Sequence, residues 1–147
     1  MRFAAIADVH GNCLALEAVL ADIAAQGVET GDIVNLGDSL SGPLEAGRTA
    51  DRLVGLGLTT VCGNHDRYLI EHAAGDMHSW EADAYAQLSP EHLDWLRELP
   101  FSRVFRDEIF LCHATPTSDN VYWLEAVSEQ GHVHLRPKAE IEAFAEG

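Results

Sequence analysis

Three short apolar runs constrain this chain's fold most: RFAAIA (residues 2–7), DIVNLG (32–37) and LTTVC (58–62), each parted from the next by a stretch with helical periodicity. Over residues 14–25, Leu16, Val19, Leu20 and Ile23 recur at helical spacing, and Gly27 supplies a stop. Residues 43–56 are again helix-like, with Pro43 suited to a first turn and Gly57 to an end. Strand, helix, strand, helix, strand implies right-handed crossovers and a parallel sheet covered on both faces. In such sheets, sites gather beyond the carboxyl ends of the strands.

Further along, residues 66–99 read as helical and polar, with a helix start at Ser89-Pro90-Glu91 and a stripe of Leu93, Leu96 and Leu99. Trp80 and Trp95 are expected to pack rather than to stack on a ligand. SRVFR (102–106) and EIFLC (108–112), parted by Asp107, predict a tight antiparallel hairpin, and residues 119–129 and 137–146 are expected to be helical. At 147 residues the chain fits one domain, residues 1–147. No apolar run approaches the roughly 18 residues of a membrane span. Met1-Arg2-Phe3 runs straight into a strand, so no signal peptide is expected and the cytoplasm is the expected location.

Cys13, Cys62 and Cys112 are odd in number and widely spaced, which fits reduced thiols used as small buried filler. Twenty-four Asp plus Glu against 9 Lys plus Arg give a formal net charge of -15. That surface repels nucleic-acid backbones and anionic membranes, so stable binding of either is not expected.

Four strand ends carry polar groups able to bind metal or move protons: Asp8 and His10 in ADVHGN, Asp38 in NLGDS, Asn64 and His65 in CGNHD, and His113 in FLCHA. An isolated strand-end Asp is usually a helix cap, and an isolated His usually a satisfied surface or core residue. Their recurrence at successive strand ends favours a metal site. Carboxylates and imidazoles suit borderline divalent ions such as Mn, Fe, Zn or Ni. A pair of such ions can hold a hydroxide and clamp a phosphoryl group. Gly11, Gly37 and Gly63 permit the sharp turns that bring short side chains inward.

The ordered motifs DVH, GD, GNHD and CH resemble the signature of the calcineurin-like metallophosphoesterases over residues 1–117. The resemblance implies an αββα sandwich with a mostly parallel first sheet, two divalent metal ions, and hydrolysis of a small phosphoester. It also implies roles: Asp8 and His10 on the first metal, Asp38 bridging, Asn64 and His113 on the second, and His65 beside the scissile phosphate. Asp66 fills the motif's acidic position or caps the following helix. GDSLSGP is similar to the small prokaryotic phosphodiesterase branch; Ser41 and Gly42 stand where a protein phosphatase would carry its acidic and basic partners. A non-enzymatic protein-binding scaffold on the same fold, or an inactive fragment of the enzyme, is the alternative.

The family's closing motif, G-H-x-H, follows an apolar strand. Here GHVH (131–134) follows SEQ and comes 18 residues after His113, so His132 and His134 read as a chance match in a loop. On this reading the chain lacks the last ligands and strands of the family, and its second sheet is incomplete. Low phosphodiesterase activity and self-association or strand exchange through uncovered sheet surface are then expected. Arg48 and Arg67 are expected on the surface, and Asn12 near the site or as a helix cap.

Overall fold

The computed structural model describes residues 2–73 and 75–146. Strands β1 (Ala4–Ile6), β2 (Ile33–Asn35) and β3 (Thr59–Thr60) form a parallel sheet in the order β1-β2-β3. Helices α1 (Cys13–Ala25) and α2 (Ala46–Leu56) make the two crossovers and touch each other. Both use a simple burial rule: α1 buries Cys13, Leu16 and Leu20, and α2 buries Ala46, Thr49, Ala50 and Leu53, at i, i+3, i+4 and i+7. Asn12 caps α1, its side-chain oxygen accepting the Ala15 N–H at 3.0 Å. Gly57 ends α2 in the left-handed conformation, φ 61°.

Ile33 and Val34 are neighbours in β2 and therefore point to opposite faces. Ile33 joins Ile6, Leu16, Leu20, Leu53, Leu69 and Leu96 in the core under the helices. Val34 joins Val61, Phe105 and Leu111 on the other side. That second face is covered by the antiparallel hairpin β4 (Ser102–Phe105) and β5 (Ile109–Cys112). Its turn runs through Arg106 and Asp107, both at positive φ, with the Glu108 N–H on the Phe105 carbonyl at 3.3 Å. The expected α/β class, with a mostly parallel first sheet and a small second one, is what the chain adopts.

Several boundaries differ from expectation. Pro43 lies before α2 rather than in its first turn, because the Glu45 N–H is taken by the Gly11 carbonyl and Glu45 becomes the N-cap. The polar middle divides into α3 (Asn64–Glu71), α4 (Ser79–Tyr85) and α5 (Pro90–Glu98). Residues 119–129 are not helical. They hold β6 (Glu125–Val127), paired antiparallel with β7 (Val133–Leu135) across a turn in which Gly131 has φ 82°. His134 lies within β7 and His132 just before it, so GHVH is not a loop motif, and both histidines are exposed. Helix α6 (Lys138–Ala145) matches the expected last helix, and Trp123 donates its indole N–H to the Ile141 carbonyl at 2.9 Å. No helix among the described residues is long and apolar enough to cross a membrane.

Candidate metal centre

The loops that leave β1 and β2 run side by side. The N–H groups of Asp8, His10 and Gly11 donate to the carbonyls of Gly37, Asp38 and Ser39, each at 3.0 Å. Asp8, His10 and Asp38 all adopt positive φ, 54°, 48° and 55°. Non-glycine residues reach that region at a cost, and such strain gathers where a side chain must be aimed. Gly37, at φ 101°, lets the third loop approach: a Cβ there would stand 2.5 Å from the Gly63 nitrogen. A Cβ at Gly63 would collide with Asp38.

These loops bring Asp8, His10, Asp38, Asn64, His65 and His113 into one open cleft of about 590 Å³. Ligand atoms of Asp8, Asp38 and His113 lie within 4.8 Å of one another. His113 Nε2 is 3.4 Å from Asp38 Oδ2, and His10 Nε2 is 3.7 Å from that oxygen and 3.8 Å from Asp8 Oδ1. The far wall of the cleft comes from residues 119–125 and includes Asp119, Tyr122, Trp123 and Glu125. Among the described residues, no lysine or arginine lines it.

Two features test whether these side chains fit a divalent metal. His10 Nδ1 lies 2.6 Å from the Ser41 carbonyl and His113 Nδ1 lies 2.8 Å from the Leu36 carbonyl. A carbonyl only accepts, so each Nδ1 carries a proton and each Nε2 is turned into the cleft, the arrangement that orients metal-ligating imidazoles. The donor set of carboxylate and imidazole around the buried Asp38, with no lysine or arginine lining the cleft among the described residues, matches a hard-to-borderline cation. The residues fit.

Electrostatics inside the cleft follow from Asp38. Burial works against its ionisation, but the hydrogen bond and charge of His113 and the N–H of His65, at 2.9 Å, outweigh it and hold Asp38 below the usual carboxylate range. Burial likewise disfavours a charged His113, yet the hydrogen bond and charge of Asp38 push it up to about 9. Asp66 is fully buried, and that burial, with the Asp38 charge, pushes it up to about 6 despite the backbone N–H groups of Gly63, Ser39 and Leu40. It is neither an N-cap nor a cleft residue. As the third residue of α3 it accepts from the Gly63 N–H at 3.2 Å and the Ser39 N–H at 2.8 Å, tying the β3 loop to the β2 loop. Asn64 and His65 sit in the first turn of α3 rather than in a free loop.

Other sequence expectations fall as follows. Arg67 is not a free surface arginine: its Nε donates to Asp119 at 2.7 Å and its Nη1 to Glu71 at 2.8 Å, clamping the far wall to α3. Arg48 pairs with Glu45 at the surface. Cys13 is buried, while Cys62 and Cys112 are half-buried and outside the carboxylate and imidazole group; burial, with the Asp66 charge, pushes the Cys62 thiol up to about 12. Trp80 is 44% exposed and stacks on His78, whereas Trp95 packs on the core. Missed altogether was Glu81, completely buried in α4 with an oxygen 3.2 Å from His65 Nδ1. Its only sequence signal is a capping position, three residues after His78.

A parallel sheet whose strand-end loops converge on carboxylates and imidazoles defines a class, and comparison supplies its name. The profile of the calcineurin-like phosphoesterases matches residues 1–143, and the chain belongs to that family. Among solved structures it resembles a metallophosphoesterase from Sphaerobacter thermophilus, at 31% identity and TM-score 0.65 over 80% of this chain and 49% of the other. A hypothetical protein from Pyrococcus horikoshii OT3 shares the fold, at 18% identity and TM-score 0.72 over 98% of this chain and 64% of the other. The chain thus spans about half of the first relative's length and under two thirds of the second's. Comparison with curated proteins yields no match.

Proposed function

We propose that the cleft hydrolyses a small phosphodiester with two divalent metal ions. Asp8 and His10 would hold one, Asn64 and His113 the other, and Asp38 both. The observation that carries this reading is the convergence of Asp8, Asp38 and His113 within 4.8 Å, with His65 on the same cleft wall. When bound, the ions would supply Lewis acidity toward the phosphoryl oxygens and a nucleophile at neutral pH.

The chain's own residues divide the remaining work. His10 and His113 keep Nε2 facing Asp38 because backbone carbonyls hold Nδ1. His65 stands beside His10, ring centroids 5.4 Å apart, where it can pass a proton to the leaving oxygen. Glu125 lines the outer wall beside the Arg67-paired Asp119 and would repel a second phosphate, which favours a singly charged diester over polyphosphates. His132 and His134 do not line the cleft, so slow turnover is expected, sustained by the residues named above.

The test is hydrolysis of bis-p-nitrophenyl phosphate with added manganese, run beside elemental analysis. Slow metal-dependent turnover that survives His132→Ala but vanishes with bound metal in Asp38→Ala is the expected result. Well-folded protein that neither retains nor responds to any divalent metal would overturn the reading in favour of a binding scaffold on this fold.

A further inference from the structure

We propose that Glu81 is the positioning residue for His65: its buried carboxylate accepts the hydrogen bond of Nδ1–H and thereby turns Nε2 into the cleft. This rests on the phosphoesterase reading for its purpose, though not for its geometry.

The environment of Glu81 leaves it little other explanation. It is 0% exposed, and a carboxylate so deeply buried requires compensating donors. Among the described residues those donors are His65 Nδ1, 3.2 Å from Oε1, and the His78 N–H, 3.1 Å from Oε2; no lysine or arginine pairs with it. The second contact is the helix cap of α4 and would be met equally well by a surface glutamate. The first takes the carboxylate inside, across 16 residues of chain, to the one cleft histidine not backed by a carbonyl.

That difference sorts the three histidines. His10 and His113 rest on neutral carbonyls, which suits ligands. His65 rests on a carboxylate, which only accepts; so Nδ1 must donate, and the tautomer and the ring angle are fixed. In the hydrolysis step a hydroxide oxygen derived from water bonds to phosphorus as the P–O bond to the leaving group breaks, and the Nε2 proton moves to the leaving oxygen, which keeps the bonding pair. The ring is left neutral, with its remaining proton still on Nδ1 against Glu81. Ser41 and Gly42, in GDSLSGP, supply no carboxylate for this task, and α4 supplies it instead.

The test reads the tautomer directly, on metal-free protein, by two-bond proton–nitrogen correlation spectra of the His65 ring. Wild type should show Nδ1 protonated, and Glu81→Gln should lose that state while keeping a cooperative thermal transition. A folded Glu81→Gln with an unchanged His65 pattern overturns the proposal. Should Glu81→Gln not fold, wild type alone decides: an Nδ1 proton slow to exchange and shifted downfield supports it, and an Nε2-protonated neutral ring overturns it. On the manganese-loaded protein, Glu81→Gln should lower kcat about 10- to 100-fold more for an alkyl than for a p-nitrophenyl leaving group, with KM little changed. Equal losses for both would mark Glu81 as merely structural. Inactivity of wild type with every metal would instead sink the hydrolase reading, and the spectra would still judge the Glu81 contact.

Discussion

At the residue scale, the Asp38–His113 pair makes the cleft sensitive to pH when no metal is bound. His113 is raised from 6.5 to about 9, so the folded state binds its proton more tightly than the unfolded state does. The resulting stabilisation is fully present below the unfolded value and is lost as pH rises through about 9. Asp38 is depressed, so its contribution is present above 3.8 and lost as pH falls through its lower folded value. Urea melts of EDTA-treated protein should therefore show stability falling between about pH 6.5 and 9, and His113→Gln should flatten that slope. Metal must displace the same proton, so its apparent affinity should rise with pH until about 9, with proton release measurable by calorimetry in buffers of different ionisation heat. The ligand-type residues were legible in the sequence because each sits where a strand stops, with a glycine beside His10, Asp38 and Asn64 to allow a turn. Glu81 was not, since nothing local to HSWE says that its side chain ends against His65.

At the element scale, the crossover helices were legible because small and apolar residues recur at helical spacing and leave one buried face. Residues 119–129 were not. Their Val121 and Leu124 mimic helical spacing, but the segment is held by pairing of Glu125–Val127 with Val133–Leu135, a partner that local pattern does not reveal. The strands themselves are only two to four residues long, so the site depends on how their loops are pinned. Gly63 is the tightest of those pins, packed directly against Asp38. Gly63→Ala should cost about 1–3 kcal/mol in a denaturant melt, as overpacking commonly does, and should also weaken metal binding because Asp38 must move. A variant destabilised but unchanged in metal affinity would show that Asp38 can relax without losing its place.

At the scale of the whole molecule, two tendencies oppose each other. A net charge of -15 drives copies apart, yet the outer face of the β4–β5 hairpin presents apolar side chains to solvent. Val104 and Phe110 are directly opposite in register and remain 55% and 51% exposed, while their strand neighbours Phe105 and Leu111 fill the core. The β6–β7 ribbon adds Val127, Val133 and Leu135, all more than half exposed. Strand β1 also lies at the edge of its sheet, with no further strand beside it among the described residues. We propose that a second copy of the chain covers the hairpin face, with charge repulsion keeping the association weak in dilute buffer. Repulsion between exposed charges is screened beyond about 8 Å at physiological ionic strength and beyond shorter distances at higher salt, while apolar burial is not weakened by screening. The mass measured by light scattering should therefore rise with both protein concentration and sodium chloride, and Val104→Glu with Phe110→Glu should restore a monomer. A wild-type protein that stays monomeric at high concentration in 1 M salt, where the Debye length is roughly 3 Å, would leave that face solvated for a reason other than repulsion and remove the case for association.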